Sequence, residues 1–458
     1  MTRRSRRDLL AGAGTALAAT LAGCGGVGES LLGDDDTVSY DQAALAEVAE
    51  RSPPTRPDPF PLSIPPEAMD RHRSRIRTLL GGVPESPEFP NEALSAELAE
   101  QRSHVADRFS ELNSGEGSSR ESRDEYSLRP STDRERLARL RSVRAEAAGL
   151  DAAYRAAIGA IDPESPRSRR ESVRSAMYDF LASWRYEGAS PLEALLVHDF
   201  IETLIAAVQR SLRRGQDLPE APRSDVFRVS DVAASVESAE AALADAMALR
   251  EAYRDSLSEP TAYRPRIEAA AEQLVREFEI TSSRADVHDY LDLNEPPFTR
   301  SIDGTPAEEL YRAALNLVDD DFIRGRGLER QPAKWSLQAA AGLAGIETFR
   351  TVIDGIQAGE YGVPDSATEI ASAYDDAVDA LRMVWSGAPR GIRIELDWPA
   401  TDVFDYRMRE FREEVTEDGG EVPTRLINDV YGGLKHTFHY ATYVPPVADH
   451  LAGVLQEP

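Results

Sequence analysis

The chain has 458 residues, 41% apolar and 29% charged, which is enough apolar material for a sizeable core and, by length, for two or three domains. Its 80 Asp and Glu against 52 Lys and Arg leave a net charge of −28, which excludes nucleic acid as a partner and repels anionic head groups over most of the surface. A single cysteine excludes a disulfide framework, cysteine catalysis and zinc sites of the cysteine type.

The chain opens with Arg3, Arg4, Arg6 and Arg7, followed by an apolar stretch from Leu9 to Ala22. That layout is a secretory signal, and the stretch falls short of the ~20 apolar residues a membrane span needs. Ser5-Arg6-Arg7-Asp8-Leu9-Leu10 resembles a twin-arginine export signal, with Arg6 and Arg7 as its pair. Leu21-Ala22-Gly23-Cys24 resembles a lipobox, in which small residues admit a peptidase and the cysteine takes a lipid. Cys24 is the only cysteine, and it stands where the lipobox requires one. The expected signal is 1–23, with a covalent lipid on Cys24 and attachment through it to the outer face of a membrane. The twin-arginine route carries folded cargo, so the resemblance implies folding before export.

Removal of residues 1–23 takes away four arginines and Asp8, so 48 basic and 79 acidic residues remain, a net charge of −31. Only Lys334 and Lys435 are lysines. At ~1 M salt the Debye length is about 3 Å, and the self-repulsion of such a surface is screened. Signal, lipobox and acidic, lysine-poor composition together resemble exported lipoproteins of halophilic archaea. The resemblance covers the signal and the bulk composition, not the mature domain. An acidic bacterial protein is the alternative.

After Cys24, the Gly-rich run to Asp36 reads as a flexible acidic tether. A short helix over 39–51 leads into a stretch dense in proline, from Pro53 to Pro66, which reads as an extended spacer. The helical body is expected over 67–458, divisible near 113–131 and 284–304. Helices are expected from Glu67 to Leu80, stopped by Gly81-Gly82, and from Glu92 to Leu112, before a polar, mobile loop. The run 132–161 reads as one helix of about 30 residues, or ~45 Å. Ser190-Pro191-Leu192-Glu193 and Thr305-Pro306-Ala307-Glu308 each carry a hydroxyl N-cap, proline at N1 and glutamate at N3.

Leu140, Val143, Ala147, Leu150 and Tyr154 alternate spacings of three and four, and Val236, Ala239, Leu243, Ala246, Arg250 and Tyr253 repeat them. Such stripes belong to helix bundles. The helix from Leu192 to Leu212 has a broader apolar side, suited to several neighbours. Ala339-Ala340-Ala341-Gly342-Leu343-Ala344-Gly345 invites a close-packed helix. The fold class that follows is all-α, a multi-helix bundle of long antiparallel helices. A tetratricopeptide-like solenoid ranks second, because those repeats place two helices in about 34 residues. Ile392 to Trp398 alternates apolar and polar residues, which predicts at most a minor β element.

The sequence contains no Gly-x-Ser-x-Gly, Walker loop, His-Glu-x-x-His or EF-hand loop, and no catalytic residue is assigned. Histidine offers the remaining chemistry. His436 and His439 lie one helical turn apart, with Asp429 seven residues before His436, a possible divalent-metal set unless Gly432-Gly433 breaks the helix. His198 and Glu202, four apart on the helix after Pro191, form a second pair at the edge of its apolar face. Asp319-Asp320-Asp321 lacks calcium-loop spacing and reads as a solvated helix end. The expected role is binding or scaffolding at the cell surface, with an unknown protein or small molecule as partner. Metal binding, or a metal-dependent enzyme, is the alternative.

Overall fold

The computed structural model describes residues 40–113, 132–162, 164–214, 218–285, 287, 290, 298, 300–318, 331–417 and 422–456. Arg6, Arg7, Cys24, the tether, the predicted loop beyond residue 113 and Asp319 to Asp321 lie outside them. The chain divides between Ser39 and Tyr40, and the unit from Tyr40 onward is the helical body.

Fourteen α-helices occur among the described residues: α1 Gln42–Ala49, α2 Pro66–Gly81, α3 Glu92–Asn113, α4 Asp133–Ile158, α5 Glu164–Ser183, α6 Pro191–Arg214, α7 Val226–Ser256, α8 Arg264–Arg284, α9 Pro306–Val318, α10 Pro332–Ala358, α11 Ala367–Ser386, α12 Arg390–Leu396, α13 Trp398–Glu417 and α14 Thr424–Gln456. Among those residues no helix is long and apolar enough to cross a membrane. The protein is an all-α, multi-helix fold. Its one described sheet pairs β1 Glu187–Gly188 antiparallel to β2 Thr261–Ala262.

Local signals set the helix ends. Thr132 Oγ1 accepts the Glu135 N–H at 3.2 Å while the Glu135 carboxylate accepts the Thr132 N–H, so a capping box opens α4. Gly159, at φ 72°, closes it in the left-handed conformation, and the helix is 26 residues long. Ser190 Oγ accepts the Glu193 N–H at 3.2 Å, as the sequence predicts for α6. At α9 the expected roles change. The Thr305 hydroxyl donates back to the Ile302 carbonyl at 2.6 Å, and the Glu308 carboxylate accepts the Gly304 N–H at 2.8 Å.

In the first half α4 and α7 pack along each other, with α2 and α3 against α4 and with α5 and α6 against α7. Leu98, Leu150, Ala153, Ala156, Val226 and Val229 share one buried cluster there. Arg250, the polar interruption in the α7 stripe, lies over the Phe180 ring at 4.4 Å. The broad apolar face of α6 meets α7 on one side and α10 of the second half on the other. In the second half α14 is the centre, packed against α9, α10, α11 and α13. It runs unbroken through Gly432-Gly433 and through Pro445-Pro446. The glycines do not break the helix; a Cβ at Gly432 would stand 2.6 Å from the Pro306 carbonyl, so its absence lets α9 close in. Gly345 likewise admits Leu317 of α9 to α10.

Two expectations need correction. Residues 392–398 are not β: residues 392–396 belong to α12, Asp397 is its C-cap and Trp398 opens α13. Ile392, Ile394 and Leu396 are all buried because α12 is a short helix pressed between α11, α14 and α6, so its buried positions do not follow one face. The Pro-rich stretch is extended but is no spacer. Arg56 Nε donates to Asp397 at 2.8 Å, the Tyr374 hydroxyl to the Ser52 carbonyl at 2.9 Å, and Phe60 sits edge-on to Phe200. With α1 packed on α11 and α13, the body begins at Tyr40 rather than residue 67.

Candidate functional site

The histidines of α14 do not form one donor set with Asp429. His436 is fully buried, 6.2 Å from the Tyr440 ring, and neither of its nitrogens has a hydrogen-bond partner among the described residues. Burial lowers it to about 3. His439 Nε2 lies 3.1 Å from the Tyr361 hydroxyl, and burial lowers it to about 4. Asp429 turns toward Arg407, 4.0 Å away. Among the described residues no three His, Cys, Asp or Glu side chains converge as a metal site.

His198 and Glu202 are both buried, but they do not pair. His198 Nδ1 accepts the Trp184 indole N–H at 3.0 Å, and its Nε2 faces the Glu187 carbonyl at 2.9 Å, so both nitrogens are committed to the protein. Burial lowers it to about 4. Glu202 accepts from the Tyr186 hydroxyl at 2.7 Å and from the backbone N–H groups of Ala333 and Lys334 at 3.0 and 2.7 Å. It thereby caps α10, whose own N-cap residue Gln331 supplies no side-chain bond. Burial pushes Glu202 up to about 8 against the pull of these donors. This pair is a structural joint between α6 and α10.

Arginine supplies the chemistry that histidine does not, around α5. The carboxylate of Glu237 on α7 is fully buried and receives Arg75 Nε of α2 at 2.9 Å, Arg144 Nε of α4 at 2.8 Å and Arg169 of α5. Burial would raise its pKa, but these three guanidinium groups hold it down at about 2. Arg169 also binds Glu240. A cleft of about 490 Å³ opens beside this group, with Arg155 and Asp151, themselves paired, on its wall. Two turns along α7, buried Asp245 receives His72 Nε2 at 2.9 Å and Arg141 at 3.3 Å. Reading α7 by its apolar stripe passes over Glu237 and Asp245. Their spacing of eight residues places them on one helix face, but nothing in the sequence aligns α2 and α4 with it.

On the other side of α5 lies a more open concavity of about 580 Å³, lined by Arg170, Arg174, Leu212, Leu218, Pro219, Glu220 and Arg228. Arg170 Nη2 donates to the Leu212 carbonyl at 2.7 Å, near the C-terminus of α6. Its Nε is buried without a partner among the described residues. Arg174 and Arg228 are exposed.

Residues 67–259 match a family described as a domain of unknown function (DUF8262), and residues 264–453 match a second described in the same terms (DUF8264). The boundary falls at β2, which pairs with β1 of the first match. No curated protein and no solved structure matches the chain.

Proposed function

We propose that the chain is exported through the twin-arginine route, is held on the outer face of a membrane by a lipid on Cys24, and acts there as a binding or scaffolding protein. The observation that carries the reading is the placement of the one cysteine directly after Leu21-Ala22-Gly23, behind a leader with Arg6 and Arg7. The acidic, nearly lysine-free composition fits a saline exterior. Two arginine-lined recesses beside α5 support binding as the role.

Replacing Arg6 and Arg7 by lysine is expected to block export. Cys24→Ser is expected to leave the protein exported but released from the membrane fraction; unchanged retention counts against the lipid. A pull-down from membranes in native salt identifies the partner. Stoichiometric metal in protein purified in the same salt, lost on His436→Ala, would favour metal binding instead.

A further inference from the structure

We infer that the concavity bounded by α5, the C-terminal end of α6 and the start of α7 is a binding site for a tetrahedral oxyanion, a phosphoryl or sulfuryl group carried by a ligand with a small apolar portion. The assignment deepens the binding reading above and does not depend on the lipid.

The two recesses beside α5 are lined by the same side-chain type in opposite states. In the first, Arg75, Arg144 and Arg169 are held by Glu237 and Glu240 and Arg155 by Asp151, and with Asp162 the lining has as many carboxylates as guanidinium groups. In the second, Arg170 and Arg174 of α5 and Arg228 of α7 line the space, Glu220 is the one carboxylate among its described lining residues, and none of the three arginines makes an ion pair among the described residues. On a chain of net charge −28, three guanidinium groups without an ion pair among the described residues, set on one recess beside a single described carboxylate, make that recess locally positive.

The three arginines differ in what they offer. Arg170 Nη2 is anchored on the Leu212 carbonyl, which fixes the plane of the guanidinium, while its Nε is buried without a partner among the described residues. That Nε is closed off from the recess, so the donors open to a ligand are those of the exposed Arg174 and Arg228, with Arg170 held in place as the wall between them and α6. Guanidinium groups present paired N–H donors that match the oxygens of phosphate and sulfate, and such charge-assisted bonds are short and directional. Leu212, Leu218 and Pro219 form the apolar side of the space, where the rest of the ligand would lie. High salt favours this recognition over long-range attraction. At ~1 M salt the field of the acidic surface fades within about 3 Å, so only groups in contact with the ligand count.

The test is isothermal titration of the full-length chain, in native salt, with inorganic phosphate and separately with inorganic sulfate. A vesicle arm uses the Cys24→Ser chain, so that the anchor does not itself float the protein, with phosphatidylcholine vesicles alone or containing phosphatidic acid. Saturable binding of phosphate or sulfate is expected. The double variant Arg174→Gln, Arg228→Gln is expected to weaken it at least about ten-fold, and the matching lysine pair to weaken it as well, since an ammonium is a point charge. Both side chains are exposed, so thermal unfolding should be unchanged, and Arg170→Gln supplies a third variant. Flotation with phosphatidic acid that depends on these arginines assigns a lipid head group; binding of the free ion without flotation assigns a soluble ligand. No binding of either ion and no arginine-dependent flotation, or binding unaltered in the double glutamine variant, overturns the site. Unchanged membrane retention of Cys24→Ser would sink the anchoring reading and leave this titration standing.

Discussion

Glu237 and His436 are both fully buried titratable groups, and the protein treats them in opposite ways. Three arginines complete Glu237, whereas neither nitrogen of His436 has a partner among the described residues. Glu237 has its pKa depressed from the usual 4.5 to about 2. Its stabilisation is therefore full above about pH 4.5 and is lost as the pH falls toward 2. Glu237→Gln would leave Arg75 and Arg144 without their anion, while Arg169 keeps Glu240. We expect a loss of about 3 kcal/mol, the low end for a broken buried pair because Arg75 and Arg169 reach solvent. Urea unfolding at neutral pH measures it, and a variant as stable as the parent would show that the cluster adds no stability. His436 is lowered from 6.5 to about 3, so its neutral form is the one the fold accepts. It contributes no penalty of protonation above about pH 6.5 and costs stability as the pH falls from there toward 3. His436→Leu removes an unpaired polar ring at similar volume and should stabilise by about 1–3 kcal/mol. The same variant should flatten the acid limb of the stability curve, and a destabilised H436L would show that the ring has a partner that matters.

At the scale of elements, close approach outranks propensity. In an exposed helix Gly432→Ala would stabilise by about 1 kcal/mol. Here the added methyl would meet the Pro306 carbonyl at 2.6 Å and Glu309 Cβ at 3.0 Å, so α9 must retreat from α14. The expected outcome is a loss of about 1–3 kcal/mol, read from the unfolding midpoint; a gain would mean that the α9–α14 contact gives way freely. Chain-local signals, which act within one turn, were legible at this scale. The Ser190 cap, the stop at Gly81-Gly82 and the single long α4 all appear in the residues themselves. The α12 segment was misread because alternation of apolar and polar residues reports burial, and a short helix enclosed on several sides buries alternate residues too. The Pro-rich segment was read correctly as extended, but what it lies against comes from residues more than 300 positions away, such as Asp397 and Tyr374.

For the whole molecule, net charge is the governing quantity. With −31 on the expected mature chain, self-repulsion should dominate at low ionic strength and fade as the Debye length shrinks from about 10 Å at 0.1 M to 3 Å at 1 M. The midpoint of thermal unfolding is therefore expected to rise with KCl across that range, most steeply at its lower end. A flat or falling response would count against the saline reading of the surface. The buried Glu237 cluster should be less affected than the surface pairs, because its carboxylate is shielded from salt by the helices around it.

Composition, the leader and the short-range grammar of caps, stops and apolar stripes needed no partner beyond the chain's own neighbours, so the sequence alone specified an all-α body, its main helices and an expected address. The sites were different. His198, Glu202 and His436 are all where the helical spacing puts them, yet Trp184, Ala333 and, for His436, burial without a described hydrogen-bond partner decided what each one does. The arginine recesses belong wholly to the tertiary structure. A guanidinium in the sequence is a charge on a flexible stem, and only the packing of α2, α4, α5, α6 and α7 determined which of them found a carboxylate and which were left facing open space.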